Sequence, residues 1–354
     1  MLEKLNCCVK RLSILLIMVA LIAGMAGCSL FPSRSLEIRT WYDLDAVRNN
    51  LGGNYTLMND LDSTTAGYTE LASPTANGGK GWQPIGTQNN TFTGTFDGQE
   101  YEIRDLFSNR PDENYVGLFG IVNTGGGIED IGVVNVTVTG NSSVGGLVGV
   151  NVGTVSNSYS SSNVNGGSAE VGGLVGLNGG TVSNSYSSGS VTGQGHVGGL
   201  VGGNGATVSN SYSTGNVTGY YGVGGLVGAS SGTVNNSYST GNVTGYQWVG
   251  GLVGGNAGTV SNSYSTGSAT GNSSVGGLVG DNSGTVSTSF WDIQTSGQAT
   301  SSGGTGKTTT EMKNITTFSG ASWNITAVAL NQTNPAYIWN IVNGVTYPFL
   351  SWQP

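Results

Sequence analysis

Charge is what this chain has least of. Only 8% of its 354 residues are Asp, Glu, Lys or Arg, against about 25% in an ordinary soluble domain. No Lys or Arg lies between Asp112 and Gly306, so that stretch cannot neutralise phosphates and nucleic acid is excluded as its partner. A single histidine, His196, rules out an HExxH zinc site, which needs two. The three cysteines all fall within the first 28 residues, which leaves no disulfide framework and no cysteine metal site; no cofactor is expected. Large apolar residues are also few, and glycine, serine, threonine and asparagine take their place. That bias alone reads as disorder, because such a chain cannot offset its conformational entropy. A strict period reverses the reading, since disorder has no use for one.

The amino end sets the compartment. Lys4, Lys10 and Arg11 precede a 16-residue apolar run, Leu12 to Gly27, short for a membrane span and suited to a secretory signal. Met25-Ala26-Gly27-Cys28 resembles the lipobox of bacterial lipoproteins, with methionine in place of the usual leucine. The resemblance implies cleavage before Cys28, acylation of that cysteine and an extracytoplasmic protein anchored to the cell membrane or outer membrane. Loss of residues 1–27 would remove three of 11 basic and one of 19 acidic side chains, leaving a formal charge of −10.

What is abundant is one hexamer. "VGGLVG" begins at Val144 and returns at Val171, Val197, Val223, Val249 and Val275, at spacings of 27 and then 26 throughout. Tyr159, Tyr186, Tyr212, Tyr238, Tyr264 and Phe290 keep the same step, as do Val164, Val191, Val217, Val243 and Ala269 five residues later. Each unit thus holds three short apolar segments between Gly, Asn and Ser turn signals. These are too short for amphipathic helices and suit strands. Coils stacked in register would bring positions 26 apart to about 4.8 Å. The expected fold is all-β, a right-handed parallel β-helix of about 26-residue rungs, three-sided on the spacing, with a two-sided solenoid as the alternative. Gly145 and Gly146 are read as corners whose backbone angles a side chain would forbid, and Val144 and Leu147 as interior. Asn157, Asn184, Asn210, Asn236 and Asn262, a residue type that tolerates left-handed corners, are read as an internal amide ladder.

The flanks read as caps. Thr40-Trp41-Tyr42-Asp43 starts a capping box, with Trp41, Leu44, Val47 and Leu51 on one helix face that stops at Gly52-Gly53. Strands follow around Tyr55-Leu57, Phe92-Phe96 and Tyr101-Ile103, the last two joined as a hairpin at Asp97-Gly98. A hairpin turning at Asn343-Gly344, with Ile338, Trp339, Tyr347, Phe349 and Trp352, is expected to seal the last rung. Thr295 to Thr310 reads as a surface loop. The organisation is then signal peptide 1–27, linker 28–36, N-terminal cap and first rungs 37–115, repeat solenoid 116–291, and C-terminal loop and cap 292–354.

The VGGLVG units, the variant "VGLFG" at Val116 to Gly120, the entry "GTFDGQEYEI" and the exits "FWDIQTSGQ" and "GVTYPFLSW" resemble the GLUG-motif repeat proteins of microbial surfaces over roughly residues 36–354. The resemblance implies secreted or surface-anchored β-helical proteins, some with adhesin-like or peptidase architectures, and no single activity. The peptidases use HExxH zinc, which the lone histidine forbids here.

Residues that depart from the repeat carry the functional expectations. "GYYG" at 219–222 and "GYQW" at 245–248 replace "GNSS" before the hexamer. Tyr220 and Tyr246 should stack, with Tyr221 and Trp248 beside them and Gln247 between, a ring cluster suited to an extracellular glycan or a surface protein. Glu170 and His196 should be rung neighbours, an exposed pair below Ser143. The order Ser, Glu, His puts the carboxylate where a triad needs the imidazole, so hydrolytic chemistry is not expected there. Glu170 and Asp281, the only acids between Ile131 and Phe290, fall four rungs or about 19 Å apart, too far to share a substrate bond. Thr192, Thr218, Thr244 and Thr270 form one exposed rank, too narrow for a lattice match. The expected function is non-catalytic: a membrane-anchored surface lipoprotein presenting a solenoid for adhesion or ligand binding. The alternatives are a polysaccharide lyase or hydrolase with its site among the acids of residues 36–130, such as Asp43, Asp45, Asp60, Asp62, Glu129 and Asp130, and a structural envelope spacer.

Overall fold

Alternating valine and threonine favour extended backbone, because β-branched side chains pack well on a pleated surface. A computed structural model describes residues 35–353; the segment expected as a signal peptide and Cys28 lie outside the described residues. The rung from Gly195 to Thr218 runs through five short strands, Gly195–Gly198, Val201–Asn204, Thr207–Ser209, Tyr212–Ser213 and Val217–Thr218. Five replace the expected three because the glycine turn splits the hexamer in two and Asn210 splits "TVSNSYS". Each strand pairs in parallel with its equivalents. Val171, Val197, Val223, Val249 and Val275 form one register column. Tyr212 and Tyr238 stack at 4.9 Å with ring planes 4° apart.

The interior is aliphatic. In that rung Val197, Leu200, Val201, Val208 and Val217 are buried, each contributing roughly 1.5 to 3 kcal/mol. Ordering its backbone costs about 1 to 2 kcal/mol per residue. A rung therefore depends on its neighbours, whose ladders supply the remaining hydrogen bonds.

Two corner assignments are corrected. Gly145 and Gly146 do not have left-handed backbone angles; they are glycine because nothing else fits. A Cβ on Gly145 would fall 2.2 Å from the Val148 carbonyl, and one on Gly146 would fall 2.5 Å from Ser160 Oγ. The left-handed corners are occupied instead by Asn157, Asn184, Asn210, Asn236 and Asn262, with φ of 47° to 49°. Asparagine adopts that region more readily than other side-chain-bearing residues. These asparagines face outward, where Asn184 Nδ2 still donates to Asn157 Oδ1 at 3.2 Å. The internal amide ladder is a different column: buried Asn151 Nδ2 donates to Asn178 Oδ1 at 2.9 Å, and Asn178 Nδ2 to Asn204 Oδ1 at 2.9 Å. Asn204 donates to Ser230 Oγ, and Asn256 to Asn282 Oδ1.

The amino-terminal region joins the same stack. Thr40 and Asp43 form the expected capping box ahead of the helix Trp41–Ala46, which buries Trp41 and Leu44. No hairpin forms at Asp97-Gly98. Thr95–Asp97 pairs in parallel with Asn54–Leu57 and with Gly127–Glu129, while Glu102–Arg104 pairs with Gly132–Val134 in another sheet. Gly98 turns a rung corner, where a Cβ would meet the Asp130 carbonyl at 2.4 Å.

At the other end the expected roles are exchanged. The antiparallel pair Trp339–Ile341 and Phe349–Leu350 does form. It folds back along the outside of the tyrosine column, where Trp339, Trp323 and Leu350 bury Tyr238, Tyr264 and Phe290. Tyr264 donates its hydroxyl to the Pro348 carbonyl at 2.6 Å, and Trp352 Nε1 reaches the Asn210 carbonyl at 3.2 Å. The last rung is closed by the segment expected as a surface loop. Ser301 Oγ accepts from the Val279 N–H at 2.9 Å, and Gly277 N–H donates to the Thr300 carbonyl at 3.0 Å. These bonds satisfy sheet edges that would otherwise recruit further strands.

Candidate functional site

The position before each hexamer turns the chain through the left-handed region. Ser143, Glu170, His196, Gly222, Trp248 and Ser274 have φ between 47° and 63°. Only glycine adopts that conformation freely, and bulky side chains there cost about 1 to 2 kcal/mol each. Glutamate, histidine and tryptophan at three successive non-glycine corners thus run against local preference, as residues at functional sites often do.

The backbone of these corners lies against the next rung. A Cβ on Gly202 would fall 2.5 Å from the Glu170 carbonyl carbon, one on Gly228 2.4 Å from that of His196, and one on Gly280 2.6 Å from that of Trp248. The corner residues therefore flank the outward column Leu177, Gly203, Ala229, Gly255 and Asp281, whose members are register partners. Between corner and column lies a groove of about 320 Å³, within the size range of small-ligand sites. Gly203, Ala229 and Gly255 form its low floor, Glu170, His196 and Trp248 one wall, and Ser231, Ala257 and Ser283 the other; Asp281 ends it.

Glu170 and His196 meet as expected, with His196 Nδ1 3.9 Å from Glu170 Oε1. Ser142 Oγ and Ser143 Oγ donate to Glu170 Oε2 at 3.1 and 3.4 Å. The His196 side chain, and after it these hydroxyls, hold the Glu170 carboxyl below the usual carboxylate range against the opposing effect of partial burial. It is therefore ionised at neutral pH. The carboxylate stands between hydroxyl and imidazole, so the serines donate to Glu170 and not to the histidine that a triad would place beside them.

The aromatic cluster divides in two. Tyr220 and Tyr246 stack at 4.8 Å with planes 4° apart and are 55% and 44% exposed. Tyr221 instead packs on Trp248, ring centroids 4.3 Å apart, and lies 6.1 Å from the His196 ring. The Trp248 ring covers Gly255, where a Cβ would meet Cε3 at 3.2 Å. Burial, and after it the Asp281 charge, raises the Tyr221 hydroxyl pKa. Gln247 pairs with Tyr221 through the backbone and lines no part of the groove. Glu170 and His196, expected as a separate surface pair, share one cavity with Trp248. Asp281 escapes a reading by period because a same-rung count places it four rungs from Glu170. The corner offset reduces this to three, roughly 14 Å, still beyond the ~5 to 9.5 Å of paired glycosidase carboxylates. The threonine rank is not alone either: Ser188, Thr214 and Thr240, and Ser190, Asn216 and Asn242, are exposed in ranks beside it.

Most acids in residues 36–130 have structural partners. Asp43 caps the first helix, Asp45 pairs with Arg48 at 2.7 Å, Asp60 with Arg104 at 3.7 Å, and Asp62 accepts from Thr64 and Thr65. Asp97 and Glu129 are register partners on adjacent strands. Burial first, and then Asp130 and Asp97, hold the Glu129 carboxyl above its ordinary range. Among the described residues no group of three or more His, Cys, Asp or Glu is placed to hold a metal ion.

Comparison with known proteins agrees with the repeat geometry. The GLUG motif matches residues 167–192, 193–218 and 245–270. A "Putative Gly-rich membrane protein" of Evansella cellulosilytica is 39% identical over 125 residues, 34% of this chain and 14% of that protein. "Halomucin" of Haloquadratum walsbyi is 34% identical over 134 residues, 37% of this chain and 1% of that protein. The chain thus matches only a small part of either relative. A crystal structure of a "putative immunoglobulin A1 protease" from Bacteroides ovatus superposes with a TM-score of 0.57 at 20% identity, covering 92% of this chain and 94% of that one, and shares the fold. The chain is thus an all-β parallel β-solenoid, three of whose rungs carry the GLUG motif.

Proposed function

We propose that this protein is a lipid-anchored cell-surface solenoid that binds an extracellular ligand, a glycan or a surface protein, without catalysis. One observation carries the reading. Between Ile131 and Phe290 the chain has one histidine, one tryptophan and two acids, and all four line one groove. Columns that obey the repeat serve stacking; these exceptions converge without a structural need. The names of the relatives, a membrane protein and a halomucin, support a surface location. The separation of Glu170 and Asp281 supports binding over bond cleavage. On a glycan array, Trp248→Ala is expected to lower retained binding at least tenfold with the fold unchanged by circular dichroism, since a ring platform contributes most of such contacts. Unchanged binding would remove the groove from consideration.

The anchor is testable separately. Metabolic labelling with a palmitate analogue should tag the full-length protein, and Cys28→Ser should abolish the label and release the chain to the medium. Label retained in the variant would refute anchoring at that residue.

A second reading, a polysaccharide-active enzyme with its site in residues 36–130, is favoured by the adjacent carboxyls of Asp97 and Glu129, one of them held in the protonated direction. It requires sugar release from acidic polysaccharides that Glu129→Gln abolishes. No release from the wild-type chain excludes it.

A further inference from the structure

The groove also indicates the charge of its ligand. Glu170 and Asp281 are the only acids between Ile131 and Phe290, and no Lys or Arg lies between Asp112 and Gly306 to neutralise them. Among the described residues neither pairs with a lysine or arginine; the one ionic partner is His196 beside Glu170. Two carboxylates, with the His196 imidazole beside Glu170 as their one basic neighbour, flank an aromatic wall, an arrangement that attracts an organic cation through both Coulomb and ring-quadrupole terms. The floor of Gly203, Ala229 and Gly255 runs parallel to the solenoid axis across three rungs, which suits a linear chain lying flat rather than a single ring. A peptide captured by strand addition would need free backbone edges, but the floor strands Val201–Asn204, Val227–Ser230 and Val253–Asn256 are paired on both sides. The hydroxyls of Ser231 and Ser283 on the opposite wall and the indole of Trp248 offer what a sugar ring needs, polar partners for its hydroxyls and a flat apolar surface for its C–H face.

We infer that the groove binds a short chain of amino sugars carrying free amines, with Glu170 and Asp281 each facing an ammonium group and Trp248 stacking on a ring between them. This rests on the reading that the groove is the ligand site.

The test titrates the purified chain calorimetrically with a glucosamine tetramer and its N-acetylated counterpart, which differ in charge and little in shape. The amine form is expected to bind at least tenfold more tightly at low ionic strength, and added salt should erode the difference. Glu170→Gln and Asp281→Asn should each lower affinity for the amine form about tenfold, the loss of one charge-assisted contact, and leave the N-acetylated form unchanged. Trp248→Ala should weaken both. The amide introduced by Glu170→Gln retains an acceptor for the Ser142 hydroxyl, so that variant is expected to fold, with its thermal midpoint as the check. Equal binding of both tetramers, insensitive to Glu170→Gln and Asp281→Asn but lost in Trp248→Ala, overturns the cationic ligand and leaves the groove reading standing. Binding of a lysine-rich peptide in preference to either tetramer overturns the sugar. Binding of neither tetramer, with Trp248→Ala also silent on the array, overturns both readings.

Discussion

Gly224→Ala is expected to lower the stability of the solenoid by about 3 kcal/mol or more. The added Cβ would fall 1.9 Å from the Val227 carbonyl oxygen and 2.7 Å from the Gly254 N–H nitrogen. Both are backbone atoms held in parallel ladders on either side, so neither moves without disturbing a neighbouring rung. The same contact recurs at Gly172, Gly198, Gly250 and Gly276, at 1.9 to 2.0 Å from the carbonyl three residues on. Because each rung is stabilised by its neighbours, damage at one propagates through the nearest interfaces. Guanidinium unfolding followed by circular dichroism should show the shift. Gly205→Ala is the control: its Cβ would come no closer than 3.6 Å to the Asn178 carbonyl, and a change within about 0.5 kcal/mol is expected. Similar losses in both variants would show that the hexamer glycine is not a steric requirement.

Asn178→Asp should produce a comparable loss, with a pH dependence that identifies its cause. Asn178 is fully buried, and its Nδ2 donates to Asn204 Oδ1, the Gly180 carbonyl and the Thr207 carbonyl at 2.9 to 3.1 Å. A carboxylate there would face three acceptors with no donor to offer. Burial and these dipoles must raise its folded-state pKa above the ~3.9 of an unfolded aspartate. The folded state then holds the proton more tightly than the unfolded state, so the variant is least impaired below about pH 4. Its deficit grows as pH rises toward the raised folded-state value and levels off above it. At neutral pH the loss should reach about 3 to 5 kcal/mol. Asn178→Ala, which leaves the same partners unpaired without adding a charge, should cost less and show no such trend relative to wild type. Parallel pH profiles for the two variants would refute the account.

Much of the fold was legible because a solenoid is nearly one-dimensional. Once the 26-residue step is seen, Tyr186 over Tyr212 and Val197 over Val223 follow by counting, and both are found. The capping box at Thr40 and Asp43 was legible because it is a contact between residues three apart. Errors arose where the answer depended on which way a residue faces within a rung. The same asparagine chemistry suits an outward left-handed corner at Asn184 and an inward ladder at Asn178, and periodicity marks both columns equally. The end segments were misassigned for a related reason. Nothing in a run of Gly, Ser and Thr says that Ser301 will close a sheet edge, and nothing local sends Trp339 back over Tyr264 rather than onto the last rung.

The candidate site was half visible. Glu170, His196, Tyr221 and Trp248 stood out as departures from the repeat, and the Glu170–His196 contact followed from register. Their meeting in one groove did not, because it depends on the offset between a corner and the strand of the next rung, which a rung-by-rung alignment sets to zero. Asp281 enters the site only through that offset.

By itself the sequence determined the strand class, the period, the register and the aliphatic interior, since these depend on identities at fixed intervals along the chain. Only the tertiary structure decided which faces turn outward, where the ends fold and which exceptions to the repeat share a cavity. Those outcomes depend on corner angles and on contacts between atoms of different rungs, where displacement by one rung step determines whether two side chains meet.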